Sequence, residues 1–160
     1  MTGPLRFVFS PEQADPARTL FVDGTESGFR SLSHWPGNGT PAALKHDLST
    51  GIALAWARLS PAERRALVGP VEQVANNHYD TDGALSAFAL LHPEEALRRE
   101  AAMLAAAATG DFSVWRGEHA LAVDLTVMRL TRARASPLAG RLEGATDPQR
   151  HQAGYEWVLE

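Results

Sequence analysis

The chain has 160 residues, a formal net charge of −4 and no cysteine. This length suits a single domain with its own core, and the acidic balance gives no broad basic surface for nucleic acid. Without cysteine there are no disulfides or thiolate zinc sites, so a metal must be bound by histidine, carboxylate groups or water. No apolar run reaches transmembrane length, and the N-terminus lacks the apolar core of a signal peptide. We therefore expect a cytoplasmic protein with no membrane span.

The first part of the chain predicts three short strands. Residues 5–9, 19–22 and 29–33 are rich in apolar or β-forming side chains and are separated by turn residues. The second strand ends at Asp23, which is followed by a glycine. An aspartate in that place is a common turn former, and it is also a candidate metal ligand. Both interpretations of Asp23 remain open at this point.

The third strand leads into a loop that opens with a histidine and a tryptophan. His34 and Trp35 precede residues 36–41, which are dense in proline, glycine and asparagine. Loops that carry such groups on a rigid sheet often form the walls of a site, so both residues are candidates for a substrate pocket. The alternative is that Trp35 packs against the edge of the core.

Two helices are predicted next. Apolar residues at helical spacing indicate a helix over residues 48–59, which Asp47 or Ser49 would cap. His46 lies just before this helix and is a third candidate for the substrate pocket. Ser60, followed by a proline and a glutamate, indicates the start of a second helix that includes residues 62–68.

The most informative segment is a polar turn at residues 76–83. It follows a short apolar strand that ends near Ala75 and precedes a helix over residues 84–91. A strand, a polar turn and a helix in this order place ligand-binding groups at the carboxyl edge of an open α/β sheet. If His34 and Trp35 follow a strand of the same parallel sheet, we expect them to lie beside this turn.

Within the polar turn, His78, Asp80 and Asp82 occupy alternate positions. Alternate side chains of an extended segment share one side, so an imidazole and two carboxylates can converge there. Two carboxylates this close repel each other unless a proton or a cation lies between them, which favours a divalent metal. Gly83 suits a tight turn where the helix begins.

A structural interpretation of the same turn is that Asp80 and Asp82 cap the N-terminus of the following helix. Capping explains one aspartate readily. It does not explain an imidazole and two carboxylates on one side, so we rank it below the metal interpretation.

The segment His78-Tyr79-Asp80-Thr81-Asp82-Gly83-Ala84-Leu85-Ser86 resembles the first motif of the DHH phosphoesterase superfamily. That superfamily includes the RecJ single-strand exonucleases and the nanoRNA and cyclic-dinucleotide phosphodiesterases. The resemblance implies an α/β architecture like their N-terminal domain, with His78, Asp80 and Asp82 as manganese ligands. The later Asp-His-His triplet and the Gly-Gly-Gly-His substrate module of the superfamily are absent from this chain.

The whole chain also resembles a bacterial family of unknown function, through residues 33–37 and 76–80. That resemblance implies no activity.

The second half of the chain predicts helices. A helix begins near His92-Pro93 and closes at Gly110, which we place at its C-cap, so that Asp111 lies on the following loop. Asp111 is a candidate acidic ligand, with ordinary turn chemistry as the alternative. Further helices are predicted over residues 118–134 and 149–160.

These patterns predict one α/β domain over residues 1–160, with a small, mostly parallel sheet flanked by helices. A downstream domain that this chain lacks would account for the missing substrate module. The expected function is a metal-dependent hydrolase that acts on small phosphorylated substrates. Manganese is the expected divalent ion, bound by His78, Asp80 and Asp82 and joined by Asp111 and Asp23. The alternative is a protein that binds a metal or a small ligand without catalysis.

Overall fold

The computed structural model describes residues 5–132, 134 and 136–160. Four strands form one sheet in the order β1-β4-β2-β3, and all three pairs of neighbouring strands are parallel. The strands are Arg6–Phe9 (β1), Thr19–Val22 (β2), Arg30–Leu32 (β3) and Gln73–Asn76 (β4). The small parallel sheet that the sequence predicts is therefore confirmed.

Eight α-helices accompany the sheet in the described part of the chain. They are Ser49–Ala57 (α1), Pro61–Val68 (α2), Thr81–Leu91 (α3), Pro93–Arg98 (α4), Glu100–Phe112 (α5), Glu118–Leu130 (α6), Ala139–Leu142 (α7) and Asp147–Leu159 (α8). Short 3-10 turns cover Pro11–Gln13 and Ala42–Leu44. None of the helices described is long and apolar enough to cross a lipid bilayer.

The two central strands are buried along their whole length. Leu20, Phe21 and Val22 of β2 and Val74 and Ala75 of β4 have no solvent-exposed surface. Both faces of a central parallel strand are covered, so it carries a continuous apolar run rather than an alternating one. Burial of both strands fixes the position of the polar residues that follow them.

The helices pack against one another and against the sheet. Helix α1 packs against α3, and α5 packs against both α3 and α6. Helix α8 packs against β1, where the Tyr155 ring stacks on Phe7 with 4.3 Å between the ring centroids. The first turn of α2 has the predicted capping box between Ser60 and Glu63.

Helix α5 extends past the glycine that the sequence analysis placed at its end. Gly110 lies inside the helix, and the chain leaves the helix at Ser113, which has a left-handed φ of 53°. A Cβ atom at Gly110 would lie 2.6 Å from Asp124 Oδ1, so the absence of a side chain here allows α5 and α6 to pack closely. Asp111 is consequently in the last helical turn and not on a loop, which corrects the prediction.

The prediction for Gly83 is corrected in the same way. Gly83 lies in the first turn of α3 with helical backbone angles rather than in a tight turn. An added Cβ would meet Asn76 Nδ2 at 2.6 Å, the Tyr155 hydroxyl at 2.8 Å and Asp23 Oδ2 at 3.1 Å. Glycine is required because β4, α8 and the end of β2 converge on this point of α3.

Two helix ends also differ from the sequence prediction. Helix α6 ends at Leu130 rather than at residue 134, and residue 133 lies outside the described part of the chain. Helix α8 begins at Asp147, behind a capping box formed by Thr146 and Gln149, two residues earlier than predicted.

Candidate metal centre

Three neighbouring parallel strands deliver polar residues to the same edge of the sheet. Asp23 follows β2, His34 follows β3 two positions later, and His78 follows β4. Because β2 lies between β4 and β3, Asp23 is placed between the two histidines. This is the carboxyl edge of an open α/β sheet, where such folds bind ligands.

Asp23 is the centre of the arrangement. Its side chain is 1 % exposed and its backbone has a left-handed φ of 51°, an unusual conformation for a residue with a side chain. Oδ2 lies 3.1 Å from His78 Nε2, and Oδ1 lies 3.7 Å from His34 Nε2. Oδ1 is buried and finds no hydrogen-bond partner among the described residues. A buried carboxylate oxygen without a partner is costly unless a proton or a cation occupies the space beside it.

Two trios of potential ligands share this aspartate. Asp23, His78 and Asp80 form one trio, and Asp23, His34 and Asp82 form the other. Within each trio the three donor atoms lie within 4.8 Å of one another. We call these five residues the Asp23 centre.

The first trio is held by the N-terminus of α3. Asp80 is the N-cap of this helix, and its Oδ1 accepts a hydrogen bond of 2.8 Å from the Gly83 N–H. Its other oxygen, Oδ2, lies 3.2 Å from His78 Nε2. The Asp80 carboxylate thus caps the helix with one oxygen and contributes the second to the trio.

The second trio is held by the N-terminus of another helix, α1. Asp82 Oδ2 accepts the Ser49 N–H at 2.8 Å, and Oδ1 accepts the Thr50 N–H at 2.7 Å. The N-cap residue Leu48 has no capping side chain, so the cap is supplied by Asp82, which is 33 residues from Ser49 in the sequence. The prediction that Asp47 or Ser49 caps α1 is therefore wrong. Each oxygen of Asp82 keeps a second lone pair for a cation.

Both histidines are oriented as metal ligands usually are. His34 Nδ1 lies 2.6 Å from the Asp47 carbonyl oxygen, and His78 Nδ1 lies 3.2 Å from Asn77 Oδ1. An oxygen acceptor at Nδ1 holds the proton there and leaves the Nε2 lone pair for a metal. In both residues it is Nε2 that faces Asp23.

The loop that carries His78 is fixed by Asn76, a buried residue at the end of β4. Its Oδ1 accepts the backbone N–H groups of Asn77 and His78, and its Nδ2 donates to the Tyr155 hydroxyl at 2.9 Å. Helix α8 therefore contributes to the position of His78, although it supplies no ligand of its own.

The pKa values in the centre reflect burial and the proximity of carboxylates to His78. Burial raises the pKa of Asp23 to about 7, although the hydrogen bond with His78 acts against this rise. Burial disfavours protonated His78, but hydrogen bonds to Asp23 and Asp80 outweigh it and raise the pKa of His78 to about 10. In the metal-free protein a proton on His78 thus takes the place of a cation.

We expect the metal-free protein to lose stability as the pH rises from about 7 to 10. The folded-state pKa of His78, about 10, exceeds the ordinary imidazole value of roughly 6.5. The contribution of protonated His78 to the free energy of unfolding is therefore fully present below the ordinary pKa. It is lost as the pH rises through the pKa of the folded state. Partial exposure of the ring limits the loss to the order of 2 kcal/mol.

Urea unfolding in chelator at several pH values between 6.5 and 10 measures this effect. His78→Gln is the matched variant, and its free energy of unfolding should vary less over the same range. Equal pH dependence in both proteins would contradict the prediction.

The structure also places the remaining residues that the sequence singled out. Asp111 Oδ2 lies 3.3 Å from His34 Nε2, just outside the second trio, and burial raises the pKa of Asp111 to about 6. Trp35 lies beside His78, with 5.3 Å between ring centroids, at the predicted edge of the sheet. His46 is exposed, and its Nδ1 accepts the Leu48 N–H at 3.0 Å, so it belongs to neither trio.

Sequence reasoning did not recognise the central position of Asp23 or the separation of Asp80 from Asp82. It placed His78, Asp80 and Asp82 on one side of an extended turn, whereas the two carboxylates lie in different trios. The helix begins at Thr81, so Asp82 points away from Asp80 toward α1. An aspartate directly after an apolar run, as in residues 19–23, was the signal for the central ligand.

The fold and this cluster define an α/β protein with a carboxylate and histidine centre at the carboxyl edge of a parallel sheet. The chain belongs to the family of unknown function DUF6687, whose family model matches residues 4–160. The predicted membership of an uncharacterised family is thus confirmed, whereas the comparisons give no support to a relationship with the DHH superfamily. No curated protein and no solved structure matches the chain.

Proposed function

We propose that this protein is a divalent-metal-dependent hydrolase of phosphoester-like substrates, with two metal ions bound on either side of Asp23. The observation that carries the proposal is the geometry of Asp23. Each oxygen of this buried carboxylate faces the Nε2 atom of a different histidine, and each histidine has a further aspartate beside it. Asp23 would be shared by the ligand sets of both ions, and a pair of neighbouring metal ions would supply the charge stabilisation that two-metal hydrolytic centres use.

The charges of the cluster support two cations. Asp23, Asp80, Asp82 and Asp111 carry four carboxylates, and the only ion-pair partners of these groups among the described residues are His34 and His78. Two divalent ions neutralise four carboxylates while both imidazoles act as neutral ligands. Carboxylate oxygens and imidazole nitrogens, without any thiolate, suit manganese and similar ions.

The exposure of the ligands supports catalysis over a purely structural metal. Asp23 and Asp82 form a buried floor, whereas the side chains of His78 and Asp80 are 27 % and 32 % exposed. Structural metal sites are closed, and catalytic sites keep a position open to water and substrate. The open side of this centre faces the solvent at the sheet edge, where a phosphoester can reach it.

When bound, divalent ions lower the pKa of coordinated water and neutralise charge that develops on phosphoryl oxygens. The protein contributes fixed ligand positions. The N-termini of α3 and α1 hold the carboxylates of Asp80 and Asp82 through backbone N–H groups, which fix the positions of the carboxylate oxygens. Asp111, next to His34, offers a further oxygen at the open side of the second trio.

Metal analysis combined with a substrate screen tests the proposal. Protein stripped with chelator and reloaded with manganese should retain about two ions per chain. It should then hydrolyse bis-p-nitrophenyl phosphate or p-nitrophenyl phosphate, and chelator should abolish this turnover. The matched control is Asp15→Asn, which alters an exposed carboxylate in the turn before β2, at the opposite edge of the sheet.

Three outcomes are distinguishable. Manganese-dependent turnover supports the hydrolase. Retention of manganese without turnover on any phosphoester favours the alternative of a metal-binding protein without catalysis. Failure to retain any divalent ion contradicts both.

A further inference from the structure

Two large aromatic side chains flank the Asp23 centre and remain exposed. Trp35 is 44 % exposed, and its ring lies 5.3 Å from that of His78 at an angle of 42°. Phe112 is 48 % exposed, and its ring lies 6.2 Å from that of His34. One exposed ring thus stands beside the histidine of each trio. Exposed aromatic surface beside a polar centre commonly marks a binding site.

The backbone of the loop that carries Trp35 is held by several hydrogen bonds within the loop. The backbone N–H of Trp35 donates to Ser33 Oγ at 3.1 Å, and the backbone carbonyl oxygen of Trp35 accepts from Asn38 Nδ2 at 2.6 Å. Thr40 closes the loop, since its Oγ1 accepts the Ser33 N–H at 2.8 Å and donates to the Ser33 carbonyl oxygen at 2.8 Å. A loop whose backbone is already ordered in the absence of a ligand can present its aromatic side chain to a flat ligand with a smaller loss of conformational entropy.

We propose that the substrate carries a planar aromatic ring next to its phosphoester group, and that Trp35 is the main side chain that binds this ring. The inference rests on the proposed hydrolase function and adds the substrate class. With the phosphoryl group at the Asp23 centre, a ring attached to it falls beside His78, where the indole of Trp35 is exposed. Phe112 lies beside His34 on the other side of the Asp23 centre and contributes less than Trp35 to binding of the substrate's ring.

A matched pair of non-hydrolysable probes tests this proposal. Phenylphosphonate and cyclohexylphosphonate are similar in size and carry the same acid group, but only the first has a flat ring. Isothermal titration into manganese-loaded protein should show tighter binding of phenylphosphonate, by roughly tenfold if the ring stacks on the indole. In Trp35→Leu the ratio of the two affinities should fall close to one, and in Phe112→Leu it should fall partly.

Trp157→Leu is the control for loss of an exposed indole. Trp157 is 45 % exposed on α8, where it lines a separate cavity with Phe88 and Met103, and this variant should keep the full preference. Equal affinities of the two probes in the wild type would overturn the aromatic substrate, and a preference that persists in Trp35→Leu would overturn the role of Trp35. In either case, manganese-dependent binding of both probes would still support the metal centre. If neither probe binds manganese-loaded protein, the inference and the proposed function both fall.

Discussion

Asp23→Asn should abolish the response of this protein to manganese. The substitution keeps the size of the side chain but removes the charge that both trios share. Loss of a group that only orients a metal ligand typically costs about ten- to a hundredfold in metal affinity, so loss of a shared ligand should cost more than about a hundredfold. Metal-dependent hydrolysis should disappear together with binding.

Thermal melts give the clearest measurement. Manganese at about a hundred times its dissociation constant should stabilise the wild type by about 2.7 kcal/mol for each ion bound, or roughly 5–10 °C per ion for a chain of this size. Asp23→Asn should show no such rise, and its melting temperature in chelator should lie below that of the wild type, because protonated His78 loses the buried carboxylate with which it pairs. Asp15→Asn should behave as the wild type. A manganese shift that persists in Asp23→Asn would refute the two-metal centre.

Asp82→Ala should destabilise the protein even in the absence of metal. The Asp82 carboxylate accepts the N–H groups of Ser49 and Thr50, and all three residues are buried. Alanine would leave two buried donors at the start of α1 without a partner, at a cost of about 2–4 kcal/mol. Charge repulsion alone would predict the opposite result. On that argument, removal of one carboxylate from the polar turn would leave the stability of the metal-free protein unchanged or increase it.

Asp80→Ala is the matched comparison. Asp80 is partly exposed and caps α3 through a single bond to the Gly83 N–H, so its loss should cost only about 1 kcal/mol. Urea unfolding of both variants in chelator measures the difference. Each variant should also lose part of the manganese shift, because each removes a ligand of one trio. If Asp82→Ala unfolds in chelator at the wild-type urea concentration, the cap on α1 contributes nothing and the role of Asp82 lies in metal binding alone.

Asp80 and Asp82 can each cap a helix and bind a metal, although the sequence analysis treated these roles as alternatives. Capping and metal binding were alternatives when Asp80 and Asp82 were assigned to one helix. In the structure Asp80 caps α3 and Asp82 caps α1, while each offers a carboxylate oxygen to a separate trio. Helix N-termini favour the ionised carboxylate that a cation needs, so the two roles reinforce each other.

The local pattern of residues predicted much of this protein. Apolar runs bounded by turn residues predicted β1, β2 and β3, and helical spacing predicted α1. The strand, polar turn and helix around residues 74–91 predicted that His78 and Asp80 lie at a sheet edge. These features depend on neighbours within one or two turns of the chain, which is why periodicity and turn chemistry reveal them.

Only the tertiary structure decided how the centre is assembled. The strand order β1-β4-β2-β3 places Asp23 between His34 and His78, residues that are 44 positions apart in the chain. The cap of α1 likewise comes from Asp82 rather than from Asp47, because α1 packs against the first turn of α3. Strand order and helix packing follow from burial of apolar faces across the whole domain, and no local pattern in the sequence specifies which carboxylate meets which helix or strand.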